Sequence, residues 1–442
     1  MQNMQKNRIL ILGAAGRDFH NFNSVYREDD STEVVAFTAT QIPDIVGRKY
    51  PASLAGDLYP DGVPIKDEKN LEQIIKEENI DECVLSYSDL SYDYVMHLAS
   101  KVMAAGAKFS MLGSDQTMLK SSKPVISILA VRTGCGKSQT TRRVVEILKE
   151  AGKKVVSIRH PMPYGDLEKQ RVQRYEKLED LDKYDCTIEE MEEYEPHINM
   201  GSIIYAGVDY EAILREAEKE ADVIVWDGGN NDMTFYKSDL TIVVADPLRP
   251  GHEVSYYPGE VNLRMADIVL LNKIDSAKKE DIQTVIDNVK KYNPDAEIIK
   301  AESTLEVEDP EVIKDKNVLV IEDGPTLTHG EMKIGAGYVA AERTGVAKFV
   351  DPRPYVVGKM EETYQHYPEI GTILPAMGYS DKQMEDLEET INKVDCDSVV
   401  IGTPIDLARF IKIEKPYTRV KYSLSEEGKN ELEKIIKSKD LI

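Results

Sequence analysis

Residues 125–151 constrain this chain more than any other stretch. The apolar run Val125-Ile-Ser-Ile-Leu-Ala130 leads into Val131-Arg132-Thr133-Gly134-Cys135-Gly136-Lys137-Ser138-Gln139, and a helical pattern follows over 142–151. A strand that turns through glycines into a helix start makes a nest for phosphate. The glycines let backbone N–H groups face inward, Lys137 neutralises β/γ charge, Ser138 offers a hydroxyl to Mg²⁺, and the helix N-terminus adds positive potential. The loop departs from the standard pattern at Val131, where glycine is usual, and Arg132 adds a cation beside the nest.

Strands alternate with helices on both sides of this unit, which predicts an α/β fold built on parallel, doubly wound sheets. Three sections are expected among the 442 residues: 1–122, 123–304 and 305–442. Strands are predicted at 8–13, 33–38, 82–87 and 108–112, with helices at 70–78 and 92–105. The middle section has strands at 125–130, 154–159, 223–227, 240–245, 268–272 and 297–300. The last has them at 318–321, 347–350, 398–402 and 419–422, and ends in a charged amphipathic helix. The acidic, Tyr-rich stretch 166–196 reads as a lid or an exposed helical pair, its charge most simply a solvated face.

Charge and composition exclude several classes. With 55 Lys and Arg against 79 Asp and Glu, the net charge of −24 gives no global attraction to nucleic acid or anionic membranes. No apolar run approaches the roughly 20 residues that span a bilayer. The first residues carry no signal-peptide pattern, and the 4 dispersed cysteines form neither a disulfide framework nor a zinc site. A cytoplasmic protein is expected.

Polar clusters gather at the predicted strand ends. Asp227 closes an apolar strand and can join a Mg²⁺ shell, while Gly228 and Gly229 allow close approach to a γ-phosphate. Asn272-Lys273-Ile274-Asp275 has the form of a guanine-reading turn, favoured over the alternatives of a structural turn or an adenine site. In Arg159-His160-Pro-Met-Pro-Tyr-Gly-Asp166, Arg159 is a candidate for stabilising transferring charge and His160 or Asp166 for orienting the attacking group; the prolines alternatively just fix the loop. Arg249 and His252 put cations on the same sheet edge, with Thr328, His329, Gly330 and Lys333 as further candidates. Near the start, Gly13-Ala-Ala-Gly16 is one glycine short of a dinucleotide loop, and the second strand ends without the acidic residue that NAD requires. Arg17, His20 and Asn23 beyond it are candidates for holding an anionic substrate.

Taken together these residues resemble the SIMIBI class of P-loop NTPases, whose deviant loop Lys-Gly-Gly-x-Gly-Lys-Ser/Thr has its signature lysine where Arg132 stands. Over nearly the whole chain the motifs 13–23, 131–138, 159–166, 226–231 and 323–329 are similar to predicted GTPases related to cyclic 2,3-diphosphoglycerate synthetase. The resemblance implies a P-loop core flanked by a Rossmann-like N-terminal domain and a C-terminal α/β extension. It also implies a Mg²⁺-dependent use of ATP or GTP to activate a small anionic metabolite, as in closure of an intramolecular phosphoanhydride in 2,3-diphosphoglycerate. Asn272, Lys273 and Asp275 favour GTP, and the synthetase favours ATP. Arg132 would then touch transferring charge, within its own subunit or across a homodimer. A GTPase switch or chaperone acting on a protein partner is the alternative, and a metabolite-binding regulator a third.

Overall fold

The strands Val125–Ala130, Val223–Asp227, Leu240–Ala245 and Ile268–Leu271 are buried along their whole lengths and need cover on both faces. In the computed structural model they form the middle of an eight-stranded sheet. The residues described are 6–442 except 15, 41–44, 161, 163, 164, 230, 231, 329 and 378–380, without the side chains at 325 and 381. The sheet runs Gln173–Tyr175, Ile203–Ala206, Val155–Arg159, Val223–Asp227, Val125–Ala130, Leu240–Ala245, Ile268–Leu271, Glu297–Lys300. All neighbours pair parallel except the edge strand Gln173–Tyr175.

Two smaller sheets flank it. The N-terminal one has the order Lys49–Tyr50, Val63–Asp67, Thr32–Ala39, Asn7–Leu12, Glu82–Leu85, Lys108–Met111. The C-terminal one runs Ser303–Val307, Tyr417–Leu424, Ser398–Gly402, Asn317–Asp323, Lys348–Phe349, with Leu374–Ala376 also paired to Asn317–Asp323. The molecule is thus an α/β protein with a P-loop NTPase core, as the motifs imply. Ser303–Val307 crosses the expected boundary at 304 and pairs antiparallel with Tyr417–Leu424. Among the described residues no helix is long and apolar enough to cross a membrane.

The flanking sections grip the core. The helix Glu426–Ser438 packs on the phosphate-loop helix Lys137–Glu150, and Leu432, Ile435 and Ile436 join the core of the central sheet. Lys429 Nζ reaches Glu150 at 3.0 Å and Glu146 at 3.1 Å, and Arg143 Nε donates to the Leu424 carbonyl at 2.9 Å. From the other side, Leu90–Ser91 pairs antiparallel with Tyr256–Tyr257.

The acidic stretch departs from the solvated-face expectation. It folds as the strand Gln173–Tyr175 and the helices Glu179–Lys183 and Ile188–Asn199. Tyr175, Leu181, Tyr194 and Ile198 are buried in a core of their own, so the helix Ile188–Asn199 has an apolar face. Glu189, Glu192, Glu193 and His197 lie on a face that lines a cavity. Thr187 caps this helix, its hydroxyl accepting from Glu190 N at 3.3 Å while the Glu190 carboxylate accepts from Thr187 N at 2.8 Å.

Because Leu432 is fully buried against the core, Leu432→Ala is expected to lower stability by about 2–5 kcal/mol. Chemical denaturation followed by tryptophan fluorescence of Trp226 reads the effect.

Candidate functional site

Strand register assembles the charged centre. Asp227 pairs with Ile128 on one side and with Arg159 on the other, so both charged residues stand at carboxyl ends of strands beside the loop that follows Ala130. Ligands of open α/β sheets bind at that edge. Gly134 and Gly136 have φ of 81° and 105°, and a Cβ on Gly136 would collide with the Asn272 side chain.

Lys137 Nζ donates to Asp227 Oδ1, Thr141 Oγ1 donates to the same oxygen at 3.1 Å, and Arg159 Nη1 stands 3.2 Å from it. His197 Nε2 lies 3.5 Å from Oδ2. Burial works to raise the Asp227 carboxyl, but the Lys137 and Arg159 charges outweigh it and hold the group well below the usual carboxylate range. Burial, then the Arg159 charge, lowers the Lys137 ammonium against the pull of Asp227. Ser138 and Asp227 are hard oxygen donors at the loop and fit Mg²⁺, which takes few protein ligands and completes its shell with phosphate oxygens and water. Among the described residues no group of three or more His, Cys, Asp or Glu is arranged to hold a metal unaided.

The loop is held from beneath by its carbonyls. Asn272 Nδ2 donates to the Cys135 carbonyl at 3.0 Å, Lys273 Nζ to that of Gly134 at 2.6 Å, and Arg249 Nη2 to that of Thr133 at 2.8 Å. Asp246 anchors both cations, 2.9 Å from Lys273 and 3.2 Å from Arg249. With these carbonyls engaged, the loop N–H groups other than those of Thr133, which donates to Asp89 Oδ2 at 3.2 Å, and Cys135, which donates to the Arg132 carbonyl at 3.4 Å, are left for an anion. Arg249, expected to hold substrate, therefore shapes the loop instead. Cys135 is buried, its thiol pushed up to about 11 by burial, and acts as a spacer. Asp275, the candidate base reader, meets Arg343 at 2.8 Å and accepts from Ser303 N at 3.2 Å.

Arg132 joins all three sections. Its Nε donates to Asp89 Oδ1 at 2.6 Å, its Nη2 meets Glu331 at 3.2 Å, and its guanidinium covers the Tyr256 ring at 3.6 Å. Asp89 Oδ2 also accepts from Thr133 N at 3.2 Å. His252 Nδ1 lies 2.6 Å from Arg132 Nη1. Burial first, then Arg132 and Arg249, lower His252 to about 4, so it adds no positive charge for an acceptor at neutral pH, contrary to expectation.

The N-terminal candidates are not brought to the cavity. Arg17 Nε pairs with Asp232 Oδ1 at 2.9 Å and its guanidinium covers Phe235 at 4.3 Å. His20 stacks on Phe235 at 4.1 Å and approaches the Thr117 carbonyl at 2.7 Å; burial, then Arg17, lower it to about 3. Asn23 accepts from the Tyr50 hydroxyl at 3.1 Å. Buried packing between sheets explains this polar set better than a substrate does. The Gly13–Gly16 turn is filled by Asp18, whose carboxylate accepts from Gly16 N at 3.2 Å and Phe19 N at 2.7 Å, where a dinucleotide phosphate would need to sit. Asp166 is also away from the cavity, exposed and accepting from Glu168 N at 2.9 Å. His160 does line the cavity, with Nε2 3.4 Å from Asp232. Thr328 is bound to its own helix through the Gly324 carbonyl at 2.9 Å, and Lys333 pairs with Glu369 at 3.6 Å. His329 and residues 161, 163, 164, 230 and 231 of the motifs lie outside the described residues.

The cavity holds about 460 Å³ and opens from Gly134, Lys137 and Arg159 onto a wall not foreseen in the sequence. Glu189, Glu192, Glu193 and His197 come from the helix Ile188–Asn199, and Glu322 and Asp323 from the end of the C-terminal strand Asn317–Asp323. Glu193 meets Arg159 at 2.5 Å. Glu322 accepts from Tyr338 N at 2.7 Å and is crowded by Gly335 and Gly402, where any Cβ would strike its carboxylate. Burial pushes Glu322 up to about 8. Burial, then Asp323, Glu189 and Glu193, raise Glu192 well above its ordinary value. The spacing of Glu189, Glu192, Glu193 and His197, opposite Tyr194 and Ile198, was the available signal, for it is the pattern of one helix face. Leu305, Ile334 and Val339 line the cavity as apolar surface.

The family model described as cyclic 2,3-diphosphoglycerate synthetase, P-loop domain, matches residues 199–302. The chain is 62% identical over 436 residues to a protein of Thermococcus kodakarensis named arginine synthetase ArcE, covering 99% of this chain and 97% of that one. It is 24% identical over 257 residues to the cyclic 2,3-diphosphoglycerate synthetase of Thermococcus sibiricus, covering 52% of this chain and 58% of that one. Among solved structures, LpxK from Aquifex aeolicus in complex with ATP aligns with a TM-score of 0.43 and 12% identity, over 84% of this chain and 99% of that one.

Glu322 generates a pH prediction. Its folded value of about 8 lies above the ordinary 4.5, so the folded state binds the proton more tightly than the unfolded chain. Its contribution to stability is then full below pH 4.5 and is lost as the pH rises toward 8. Urea unfolding is expected to show a smaller loss of stability between these limits in Glu322→Gln than in the wild type.

Proposed function

The chain belongs to the cyclic 2,3-diphosphoglycerate synthetase-like family of P-loop enzymes that includes arginine synthetase ArcE, and from that premise we propose that it is a nucleoside-triphosphate-dependent synthetase whose product is arginine. One observation carries the reading. A single cavity is lined by the Lys137, Asp227 and Arg159 cluster and by a carboxylate wall that meets Arg159 through Glu193. The first suits a nucleoside triphosphate. The second puts carboxyl groups where the multiply charged diphosphoglycerate that the motifs had brought forward would need cations, and suits an amino acid that gains a cationic end.

With nucleotide bound, Lys137 would exchange Asp227 for the β/γ-phosphates, which would leave the Asp227 carboxylate and the Ser138 hydroxyl to hold Mg²⁺. Mg²⁺ would neutralise phosphate charge there. Arg159 remains beside the transferring group, held by Glu193. Transfer of a phosphoryl group needs positioning and positive charge more than covalent assistance. In this proposal an oxygen of a ureido precursor forms the new O–P bond as the bond to the nucleoside diphosphate breaks. An amine nitrogen then adds to the ureido carbon, the C–O bond breaks with loss of orthophosphate, and a proton leaves the nitrogen. The contacts of Arg132 with Asp89 and Glu331 of its own chain support a role in cis.

The test is incubation with Mg²⁺ and ATP or GTP, followed by phosphorus NMR, with a ureido amino acid and ammonium or with 2,3-diphosphoglycerate. Turnover is expected to depend on the ureido amino acid and ammonium and to yield arginine. Nucleotide cleavage indifferent to the amino acid, or driven by 2,3-diphosphoglycerate, would overturn the proposal. Lys137→Ala is expected to lower kcat/KM by at least about a hundredfold.

A further inference from the structure

Asp89 lies between the strands Glu82–Leu85 and Leu90–Ser91 of the N-terminal section, yet its carboxylate sits on the phosphate loop. Oδ1 accepts from Arg132 Nε at 2.6 Å and Oδ2 from Thr133 N at 3.2 Å, so two oxygens hold two consecutive loop residues. The pair is enclosed, with 7% of the Asp89 side chain and 1% of the Arg132 side chain exposed. Asp89 is also fixed from its own side. Its φ of 58° is left-handed, which a residue with a side chain keeps where its surroundings hold it. Leu90–Ser91 pairs with Tyr256–Tyr257, Tyr92 N donates to the Ser255 carbonyl at 3.0 Å, and the Tyr92 hydroxyl donates to Glu260 at 2.6 Å.

A second observation concerns the peptide units on either side of Thr133. Its N–H donates to Asp89, and its carbonyl accepts from Arg249 Nη2 at 2.8 Å. In a planar trans peptide the carbonyl of one residue and the N–H of the next point in opposite directions. With the Thr133 carbonyl turned to Arg249, the Gly134 N–H faces the other way. The Cys135 carbonyl, 3.0 Å from Asn272 Nδ2, sets the Gly136 N–H in the same manner. Asp89 therefore fixes the first turn of a loop whose later amides are set by the core.

We propose that Asp89 is a positioning residue of the nucleotide site: a carboxylate supplied by the N-terminal section that holds Arg132 and Thr133 so that the loop has its anion-binding shape before nucleotide arrives. In this role it touches neither phosphate nor metal and acts through the loop. Ordering a loop in advance removes a cost that binding would otherwise bear, so loss of Asp89 falls on nucleotide affinity more than on the chemical step. The N-terminal section, whose own Gly13–Gly16 turn is filled by Asp18, thereby becomes a working part of the neighbouring site. The inference rests on the nucleotide-dependent part of the synthetase reading.

The experiment is calorimetric titration of the full chain with Mg²⁺ and non-hydrolysable analogues of ATP and GTP, beside steady-state kinetics. Asp89→Ala and Asp89→Asn are expected to weaken binding of the preferred analogue by about tenfold or more. The nucleotide KM should rise by a similar factor, with kcat and the KM of the amino acid changed much less. Tyr92→Phe removes a hydrogen bond from the same junction without touching the loop and is expected to bind nucleotide as the wild type does. Hydrogen exchange of the wild type needs no variant to fold: the Thr133 amide is expected to be protected before nucleotide is added. Wild-type affinity in both Asp89 variants, an equal loss in Tyr92→Phe, a fall in kcat at unchanged nucleotide KM, or an unprotected Thr133 amide overturns the positioning role and leaves the synthetase reading standing. A wild type that binds neither analogue removes both.

Discussion

The site depends on one buried anion that is shared by two cations. Asp227, fully enclosed at a strand end, takes Lys137 from the phosphate loop and Arg159 from the neighbouring strand. Burying these charges is costly, and breaking such a cluster by removing one partner is costlier still. The loop lysine is therefore pre-oriented toward the sheet edge without nucleotide, and the carboxylate stays ionised. The surrounding structure follows from that need. Thr141 and His197 close the remaining sides of the carboxylate, and Glu193 compensates Arg159.

Arg132 plays a comparable part between sections. Its position in the loop motif marks it as a cation for phosphate, yet its guanidinium is spread over Asp89, Glu331 and the Tyr256 ring. The contact with Asp89 brings the N-terminal sheet to the loop backbone, and the contact with Glu331 brings the C-terminal section. Arg17 and Asp232 add a second buried tie on the N-terminal side. The N-terminal Rossmann-like sheet thus spends its loop edge on the core, and Asp18 fills the turn where a dinucleotide would compete.

The parts of the fold legible in sequence were those with one dominant signal. Fully apolar runs such as Val125–Ala130 and Leu240–Ala245 announce central strands, and the Gly-Lys-Ser loop announces its helix. Short or mixed strands escaped, among them Val63–Asp67, with its proline and charges, and Ser303–Val307, whose stability comes from pairing with a distant strand. Lys137, Asp227 and Arg159 could be placed together because strand ends converge by topology. Arg249, His252, Arg17 and His20 were legible as polar residues near strand ends, but their destinations depend on tertiary partners that no spacing reveals. The acidic wall was hidden for another reason. Charge on a helix is ordinarily solvated, and only the packing of Tyr194 and Ile198 on the other face turns Glu192 inward.

The brace on the phosphate-loop helix has a consequence for how the molecule comes into being. Residues 137–150 are held by Leu424, Lys429 and Leu432, which follow them by nearly three hundred positions. During synthesis the loop and its strand emerge first, and the elements that fix the helix leave the ribosome much later. Until then the nest exists as a sequence without its outer support. The reactive machinery is thereby completed by elements far downstream of the loop, so a polypeptide that has emerged only as far as the core carries no finished nucleotide site.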